Sequence, residues 1–128
     1  MADQQHRGVQ ALLQAAERLH DLTLHAAELT DDYQGFTGKW TTIAPAGHNE
    51  APAVCKRNGK YYLITSGCTG WAPNAARSFV SSSIWGPWQQ LDNPATGDKA
   101  NITYNSQSTY ILPVVGKKDA FIFMADRW

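Results

Sequence analysis

From about residue 21 onward, short runs of apolar residues alternate with polar turns, which predicts strands rather than helices. The strongest signal is an apolar run over residues 51–56, followed by Asn58 and Gly59 and a second run over residues 60–66. Asn-Gly between two such runs is typical of a β-hairpin, because both positions of its two-residue turn need positive φ. A hairpin is therefore predicted over residues 51–66.

The same pattern predicts further strands on either side of this hairpin. A Gly-, Pro- and Asn-rich loop over residues 67–74 follows the hairpin, and a polar loop over residues 92–105 precedes a second one. The strands outside the first hairpin are predicted over residues 22–29, 38–43, 77–83, 88–91, 108–115 and 120–125. Consecutive short strands of this kind form antiparallel meanders.

Residues 8–19 differ from the rest of the chain in composition. They are rich in Ala, Leu, Gln and Glu, and their apolar positions recur at the spacing of one helix face. These positions are Val9, Leu12, Leu13, Ala16 and Leu19. A short amphipathic helix is therefore predicted, with residues 1–20 as an N-terminal helical segment and residues 21–128 as the β-domain.

The second hairpin repeats the first at an offset of 57 residues, because residues 49–54 (NEAPAV) align with residues 106–111 (SQSTYI). A repeat of this length with four aromatic-rich strands predicts β-propeller blades, since one such sheet buries its faces only against neighbours. A β-sandwich is the alternative. The chain holds one whole blade and parts of two others. We therefore expect an all-β fragment, a partial β-propeller with a short N-terminal helix.

Composition excludes several functional classes. A chain of 128 residues suits one domain, and 11 basic residues balance 11 acidic ones at a formal net charge of zero. No nucleic-acid partner is expected, because phosphate binding needs a basic surface. No apolar run has the length of a membrane span, and residues 1–20 lack the apolar core of a signal peptide. Neither membrane insertion nor export is predicted from these residues.

Patterns for metals, cofactors and nucleophiles are missing from the sequence. Cys55 and Cys68 have a separation that matches no zinc-ligand spacing, and the four His residues show none either. Both cysteines are expected to be unpaired. Ser66, Ser106 and His48 are not interpreted as a nucleophilic triad, because no Gly-x-Ser-x-Gly motif is present. No metal and no cofactor is predicted.

Glu50 and Gln107 are the strongest candidates for chemistry. Each precedes the first strand of its blade, and equivalent positions of neighbouring blades face the same central axis, so the two should converge. Glu50 stands before Ala-Pro-Ala with no adjacent Lys or Arg, where desolvation would favour the protonated carboxyl of a general acid. The alternatives are a solvated loop carboxylate for Glu50 and a strand-end cap for Gln107.

Several motifs occur in an order that can be compared with known families. They span residues 48–53 (HNEAPA), 56–62 (KRNGKYY), 65–74 (TSGCTGWAPN), 83–88 (SIWGPW), 106–110 (SQSTY) and 123–128 (FMADRW). Together they resemble glycoside hydrolase family 43, in particular its branch related to exo-acting β-1,3-galactanases. The resemblance covers residues 22–128 and not residues 1–20. It implies a five-bladed β-propeller that hydrolyses glycosidic bonds with inversion of configuration.

The resemblance also implies residue roles. Glu50 stands where the family has its general acid, before Ala-Pro. Gln107 matches a Gln that helps to place the attacking water, and we interpret it as an orienter of water or of a sugar hydroxyl, since an amide is a poor base. The family's general base and the acidic residue that tunes the acid lie in blades without a counterpart here. Members of the family are often secreted, so the localisation of this chain is left open.

Three further residues are predicted to contact the substrate. Trp71 lies in a Gly-rich loop, from which its indole can stack on the apolar face of a pyranose; packing on the blade edge is the alternative. His48 can hydrogen-bond in the site, or lie exposed in its loop. Asp126 is expected to pair with Arg127 or with a neighbour in the sugar site.

The expected function is hydrolysis of O-glycosidic bonds in galactose- or arabinose-containing side chains of plant polysaccharides. The expected partner is an oligosaccharide or polysaccharide, and self-association through exposed blade faces is also expected. The alternative function is a non-catalytic carbohydrate-binding or vestigial propeller fragment.

Overall fold

The computed structural model describes residues 11–14, 23–44 and 47–127 of the chain. Within these ranges, nine β-strands are joined by loops that contain a single 3-10 turn, Ala100–Ile102. In chain order the strands are β1 (Ala11–Gln14), β2 (Leu24–Leu29), β3 (Phe36–Ile43), β4 (Asn49–Arg57), β5 (Lys60–Gly67), β6 (Arg77–Ser81), β7 (Gln89–Leu91), β8 (Gln107–Pro113) and β9 (Phe121–Asp126). The prediction of an all-β chain is confirmed.

The strands form three antiparallel sheets in which neighbouring strands follow chain order. The first sheet contains β1, β2 and β3, the second contains β4 to β7, and the third contains β8 and β9. One complete four-stranded meander with part of a sheet on either side is the content expected of a partial propeller. The predicted architecture is therefore confirmed.

The predicted N-terminal helix is wrong. Ala11–Gln14 form β1, which pairs antiparallel with β2. The adjacent apolar residues Leu12 and Leu13 fit either element, and a helix this short has little stability of its own. The free edge of β2 supplies backbone partners, and this tertiary pairing overrides the local helix propensity. The other residues of the predicted helix lie outside the described ranges.

The hairpin of β4 and β5 has the predicted turn. Asn58 and Gly59 both have positive φ, 48° and 76°, and the flanking residues Arg57 and Lys60 pair directly. Primed turns of this kind match the right-handed twist of the strands they join. The turn therefore fixes the register of both strands.

The hydrophobic core lies between the first and second sheets. Leu63 on β5 and Phe79 on β6 are fully buried in a cluster with Leu24 of β2 and Ile43 of β3. Burying one such side chain contributes about 1.5–3 kcal/mol, so these contacts hold the two sheets together. The rest of the cluster consists of Ala26, Ala44, Tyr61 and Trp88.

The third sheet leaves much of its apolar surface in solvent. A salt bridge of 2.9 Å between Arg57 Nε and Asp119 Oδ1 joins its hairpin turn to that of the second sheet, and the hydrogen bond from Arg57 lowers the pKa of Asp119. On β8 and β9 the exposed large apolar residues are Tyr110, Leu112, Ile122, Phe123 and Met124. This sheet therefore offers an apolar surface for association.

Candidate active site

A β-bulge at the start of β4 positions Glu50. Ala51 has a φ of 51°, and the register with β5 shifts between Glu50 and Ala53. Counting back from the hairpin turn without the bulge, Glu50 would face Gly67. The extra residue moves the pairing by one, so Glu50 lies opposite Ser66, and side chains of directly paired residues project to the same face.

Asn49 anchors the start of this strand from the buried side. Its Nδ2 donates to the carbonyl oxygens of Ala44 and Gly47 at 3.1 and 3.2 Å. Its Oδ1 accepts from Thr65 Oγ1 at 3.1 Å and from Arg77 Nη1 at 3.0 Å. All four hydrogen bonds depend on one amide, which fixes the backbone immediately before Glu50.

The third sheet meets the second at Glu50. Gln107, the first residue of β8, donates from Nε2 to Glu50 Oε1 at 2.7 Å and to Ser66 Oγ at 2.8 Å. One residue further along each strand, Ser108 Oγ donates to the Ala51 carbonyl oxygen. Two of these three hydrogen bonds, from Gln107 to Glu50 and from Ser108 to Ala51, join residues 57 positions apart. The structure therefore brings together the two side chains that the repeat aligns.

Cys68 lies beside the same carboxyl. Its backbone N–H donates to the His48 carbonyl oxygen at 3.2 Å, which continues the pairing of Glu50 with Ser66 beyond the strand end. Burial raises the pKa of the Cys68 thiol and the negative charge of Glu50 raises it further; Arg77 opposes both, and a hydrogen bond with the Glu50 carboxyl adds to the increase. Cys55, elsewhere on β4, has its pKa raised by burial against the opposing charge of Arg57.

Hydrogen bonds hold the loop that contains Trp71 against the end of β5. Asn74 accepts from the Gly67 N–H at 2.8 Å and donates to the Gly67 carbonyl oxygen at 2.9 Å. Asn74 also donates to Thr69 Oγ1 at 2.6 Å. The Trp71 side chain is 82% exposed. Its loop is therefore fixed next to Ser66 and Cys68 while the indole stays accessible.

His48 and Asp126 also lie near this end of the sheets. The His48 side chain is exposed, and its carbonyl oxygen accepts from Cys68 and from Arg77. Asp126 is exposed and pairs with Gln107 in the register of β8 and β9. Between Asp126 and Arg127 no ion pair forms in the described part of the chain.

Sequence reasoning missed the residues that support Glu50 and Gln107. Ser66 receives a hydrogen bond from Gln107, Cys68 contacts Glu50, and Arg77 reaches from β6 to Asn49. A signal for Ser66 existed, because the Asn-Gly turn pairs the two strands and places Glu50 near residues 66 and 67. The bulge that chooses between them has no comparable signal, since Ala51 is a non-glycine residue at positive φ.

Apart from the candidate site, the described residues form a groove but no metal-binding cluster. No group of three or more His, Cys, Asp and Glu arranged to hold a metal occurs in the described ranges. In the part of the chain that the structure describes, no helix is long and apolar enough to cross a membrane. A groove of about 860 Å³ opens between the second and third sheets, lined in part by Tyr62, Leu91, Ile111 and Phe121. None of the predicted site residues lines it.

Comparisons with known proteins identify the family of the chain. The family model described as glycosyl hydrolases family 43 matches residues 6–125. A solved family 43 β-1,3-galactosidase with galactodeoxynojirimycin is 56% identical, with a TM-score of 0.78 over 84% of this chain and 31% of its own. No curated protein matches the chain.

Two exo-β-1,3-galactanases of known structure are also similar. The enzyme from Clostridium thermocellum is 43% identical with a TM-score of 0.72, over 84% of this chain and 23% of its own. The enzyme from Phanerochaete chrysosporium, crystallised with β-1,3-galactotriose, is 34% identical with a TM-score of 0.70, over 84% of this chain and 24% of its own. This chain spans about a third or less of the length of these relatives.

Proposed function

Because the chain belongs to glycosyl hydrolase family 43, we propose that it carries the proton-donating side of a site that hydrolyses β-galactosides. Glu50 is the general acid in this proposal. The observation that carries it is the 2.7 Å hydrogen bond between Gln107 and Glu50, which joins two sheets at equivalent points of their repeat. A general acid must be positioned within reach of the atom that it protonates, and this hydrogen bond holds the half-buried Glu50 carboxyl in one place.

The proposed chemistry is a single displacement with inversion. The Glu50 carboxyl gives its proton to the glycosidic oxygen as the bond from that oxygen to the anomeric carbon breaks, and the sugar alcohol leaves. A water molecule attacks the same carbon from the opposite face and gives its proton to a base. The two groups stand about 6.5–9.5 Å apart in inverting enzymes, so the base belongs to a surface across the sugar from Glu50.

Gln107 orients a water or a sugar hydroxyl in this proposal. Both hydrogens of its amide nitrogen are directed at protein acceptors, Glu50 and Ser66. The amide oxygen is the end of the side chain left to accept a hydrogen bond from a ligand. An acceptor of this kind orients a water molecule or sugar hydroxyl without removing its proton.

Trp71, His48 and Asp126 are the proposed substrate contacts. The Trp71 indole is exposed and its loop is held by hydrogen bonds, which supports a role in stacking on a galactose ring. His48 directly precedes β4, two residues before Glu50, and Asp126 pairs with Gln107, so both lie at backbone positions close to the carboxyl. Their polar side chains are suited to binding sugar hydroxyls.

We propose a β-1,3-linked galactan as the substrate class, because the similar solved enzymes are described as β-1,3-galactosidases and exo-β-1,3-galactanases. Such galactan chains would belong to the galactose- or arabinose-containing side chains of plant polysaccharides.

Self-association is a further part of the proposal, supported by exposed apolar side chains on the third sheet such as Ile122 and Phe123. Sedimentation of the chain and of Phe123→Lys tests it, and we expect the variant to sediment as a smaller species.

A hybrid enzyme tests the catalytic proposal. In the 56% identical β-1,3-galactosidase, the segment that matches this chain is replaced by the chain's own residues. We expect the hybrid to release galactose from β-1,3-galactobiose, and Glu50→Gln to lower the rate by about 10²–10⁴-fold while sugar binding persists, because the amide has no proton to transfer. Glu28→Gln, the same change on β2, is the matched control and should keep full activity. Binding without turnover in the unmodified hybrid would instead support a non-catalytic carbohydrate-binding fragment.

A further inference from the structure

We propose that Gln107 is also a positioning residue for Glu50, which fixes Oε2 as the oxygen that carries the transferable proton. The inference rests on the proposed role of Glu50 and adds the assignment of its two oxygens. It starts from the two hydrogen bonds of the Gln107 amide nitrogen, 2.7 Å to Glu50 Oε1 and 2.8 Å to Ser66 Oγ.

The two hydrogen bonds lock the orientation of the Gln107 amide. An amide nitrogen has two hydrogens in one plane, and here each has its own acceptor. Ser66 is buried and belongs to β5, directly opposite Glu50, so both acceptors come from the same strand pair. Rotation of the amide would break both hydrogen bonds at once.

This orientation distinguishes the two oxygens of Glu50. Oε1 must present a lone pair to the Gln107 N–H, and a hydrogen on Oε1 would compete for the same space. In the protonated carboxyl, Oε1 is therefore the carbonyl oxygen and Oε2 carries the hydrogen. During hydrolysis the Oε2–H bond breaks, the proton goes to the glycosidic oxygen, and the negative charge left on the carboxylate is stabilised by the Gln107 N–H.

A hydrogen bond between the residues that follow Gln107 and Glu50 also holds these two side chains next to each other. Ser108 Oγ donates to the Ala51 carbonyl oxygen, so the residue after Gln107 holds the residue after Glu50. The third sheet is therefore hydrogen-bonded to the backbone of the bulge as well as to the Glu50 carboxyl. Cys68 is a titratable group in contact with Glu50, and because its pKa is raised, its thiol stays neutral through the range in which carboxyls titrate.

Nuclear magnetic resonance of the 128-residue chain tests the assignment without requiring turnover. The chain contains three Glu residues, Glu17, Glu28 and Glu50, so ¹³Cδ labelling of Glu gives three carboxyl signals, and Glu50→Gln identifies the one of interest. We expect the Gln107 side-chain N–H signals to shift with pH at the same midpoint as the Glu50 carboxyl carbon. In Glu50→Gln this dependence should be lost.

Gln107→Leu supplies the second arm. The substitution removes the hydrogen bond to Glu50 Oε1, so the chemical shift of the Glu50 carboxyl carbon should change. Gln89→Leu, the same change at an exposed position of β7, should leave it in place.

If the Gln107 side-chain N–H signals of the wild-type chain do not change as Glu50 titrates, the inference is overturned. This result holds even if Gln107→Leu fails to fold. An unchanged Glu50 carboxyl signal in a folded Gln107→Leu chain would also overturn it. Neither result depends on catalysis, so failure of the hybrid enzyme to hydrolyse galactobiose remains a separate outcome that bears on the proposed function alone.

Discussion

Replacing Asn49 by Ala removes the side chain that ties the strand before Glu50 to three neighbouring segments. Asn49 is 4% exposed and takes part in four hydrogen bonds, to Ala44, Gly47, Thr65 and Arg77. Alanine can make none of them. We therefore expect a large loss of stability from a substitution that removes little apolar surface.

The size of the loss follows from the groups left behind. Thr65 and Ala44 are completely buried, so the Thr65 hydroxyl and the Ala44 carbonyl oxygen cannot turn to bulk water. Leaving one buried polar group unsatisfied costs about 1–3 kcal/mol, so the two together predict a loss of about 2–6 kcal/mol. Arg77 and the Gly47 carbonyl add less, because they keep a hydrogen bond with each other.

Urea unfolding followed by tryptophan fluorescence measures this loss, with buried Trp88 as one reporter. Asn101→Ala is the matched control, since Asn101 is exposed in the 3-10 turn and its replacement should change the free energy of unfolding by about 0.5 kcal/mol or less. If Asn49→Ala were no more destabilising than Asn101→Ala, the hydrogen-bond network would not support the strand, and the reasoning would fail.

Two other predictions use the core and the thiols. Leu63→Ala should lower the free energy of unfolding by about 2–5 kcal/mol, while Leu112→Ala, 41% exposed on the third sheet, should cost about 0.5 kcal/mol or less in the same urea assay. Only thiolates alkylate quickly, and the raised pKa values of both cysteines should make them react with iodoacetamide more slowly than free cysteine at pH 8. Glu50→Gln should speed the reaction of Cys68 and leave that of Cys55 unchanged, because removing the carboxylate lowers the pKa of the Cys68 thiol alone. Site-resolved mass spectrometry measures both rates. Equal rates for Cys68 in the wild-type and Glu50→Gln chains would contradict the contact with Glu50.

The raised pKa of Cys68 also sets the sign of a pH effect on stability. The folded chain holds the thiol proton more tightly than the unfolded chain, so this contribution to stability is present below the unfolded value near 9.0 and is lost as pH rises through the folded value. Cys68→Ser should therefore flatten the decline of unfolding free energy at alkaline pH. A decline of the same steepness in Cys68→Ser would assign it to other groups.

Local turn chemistry and the repeat made much of the fold predictable. Asn58 and Gly59 specify their hairpin, because few other dipeptides adopt two positive φ values easily. The alignment of residues 49–54 with residues 106–111 predicted that Glu50 and Gln107 converge, and these side chains share a hydrogen bond. Such features depend on residues close in sequence or on an internal comparison.

Features that depend on distant pairing were not predictable in the same way. The strand Ala11–Gln14 exists because β2 offers it an edge, and its own residues favour a helix equally well. The contacts of Ser66 and Cys68 with the site follow from the bulge at Ala51, which shifts the register by one residue. A one-residue shift changes which side chains face the carboxyl, and local propensity carries no information about it.

The dependence of hydrolysis on the leaving group tests the role of Glu50 most directly. In the hybrid enzyme, wild type and Glu50→Gln are compared on β-1,3-galactobiose, whose sugar leaving group needs protonation, and on an aryl β-galactoside whose phenolate leaves readily. General acid catalysis contributes about 10²–10⁴-fold, so galactobiose hydrolysis should fall by that order and aryl galactoside hydrolysis by far less. Equal losses on both substrates would contradict the assignment of Glu50 as the acid.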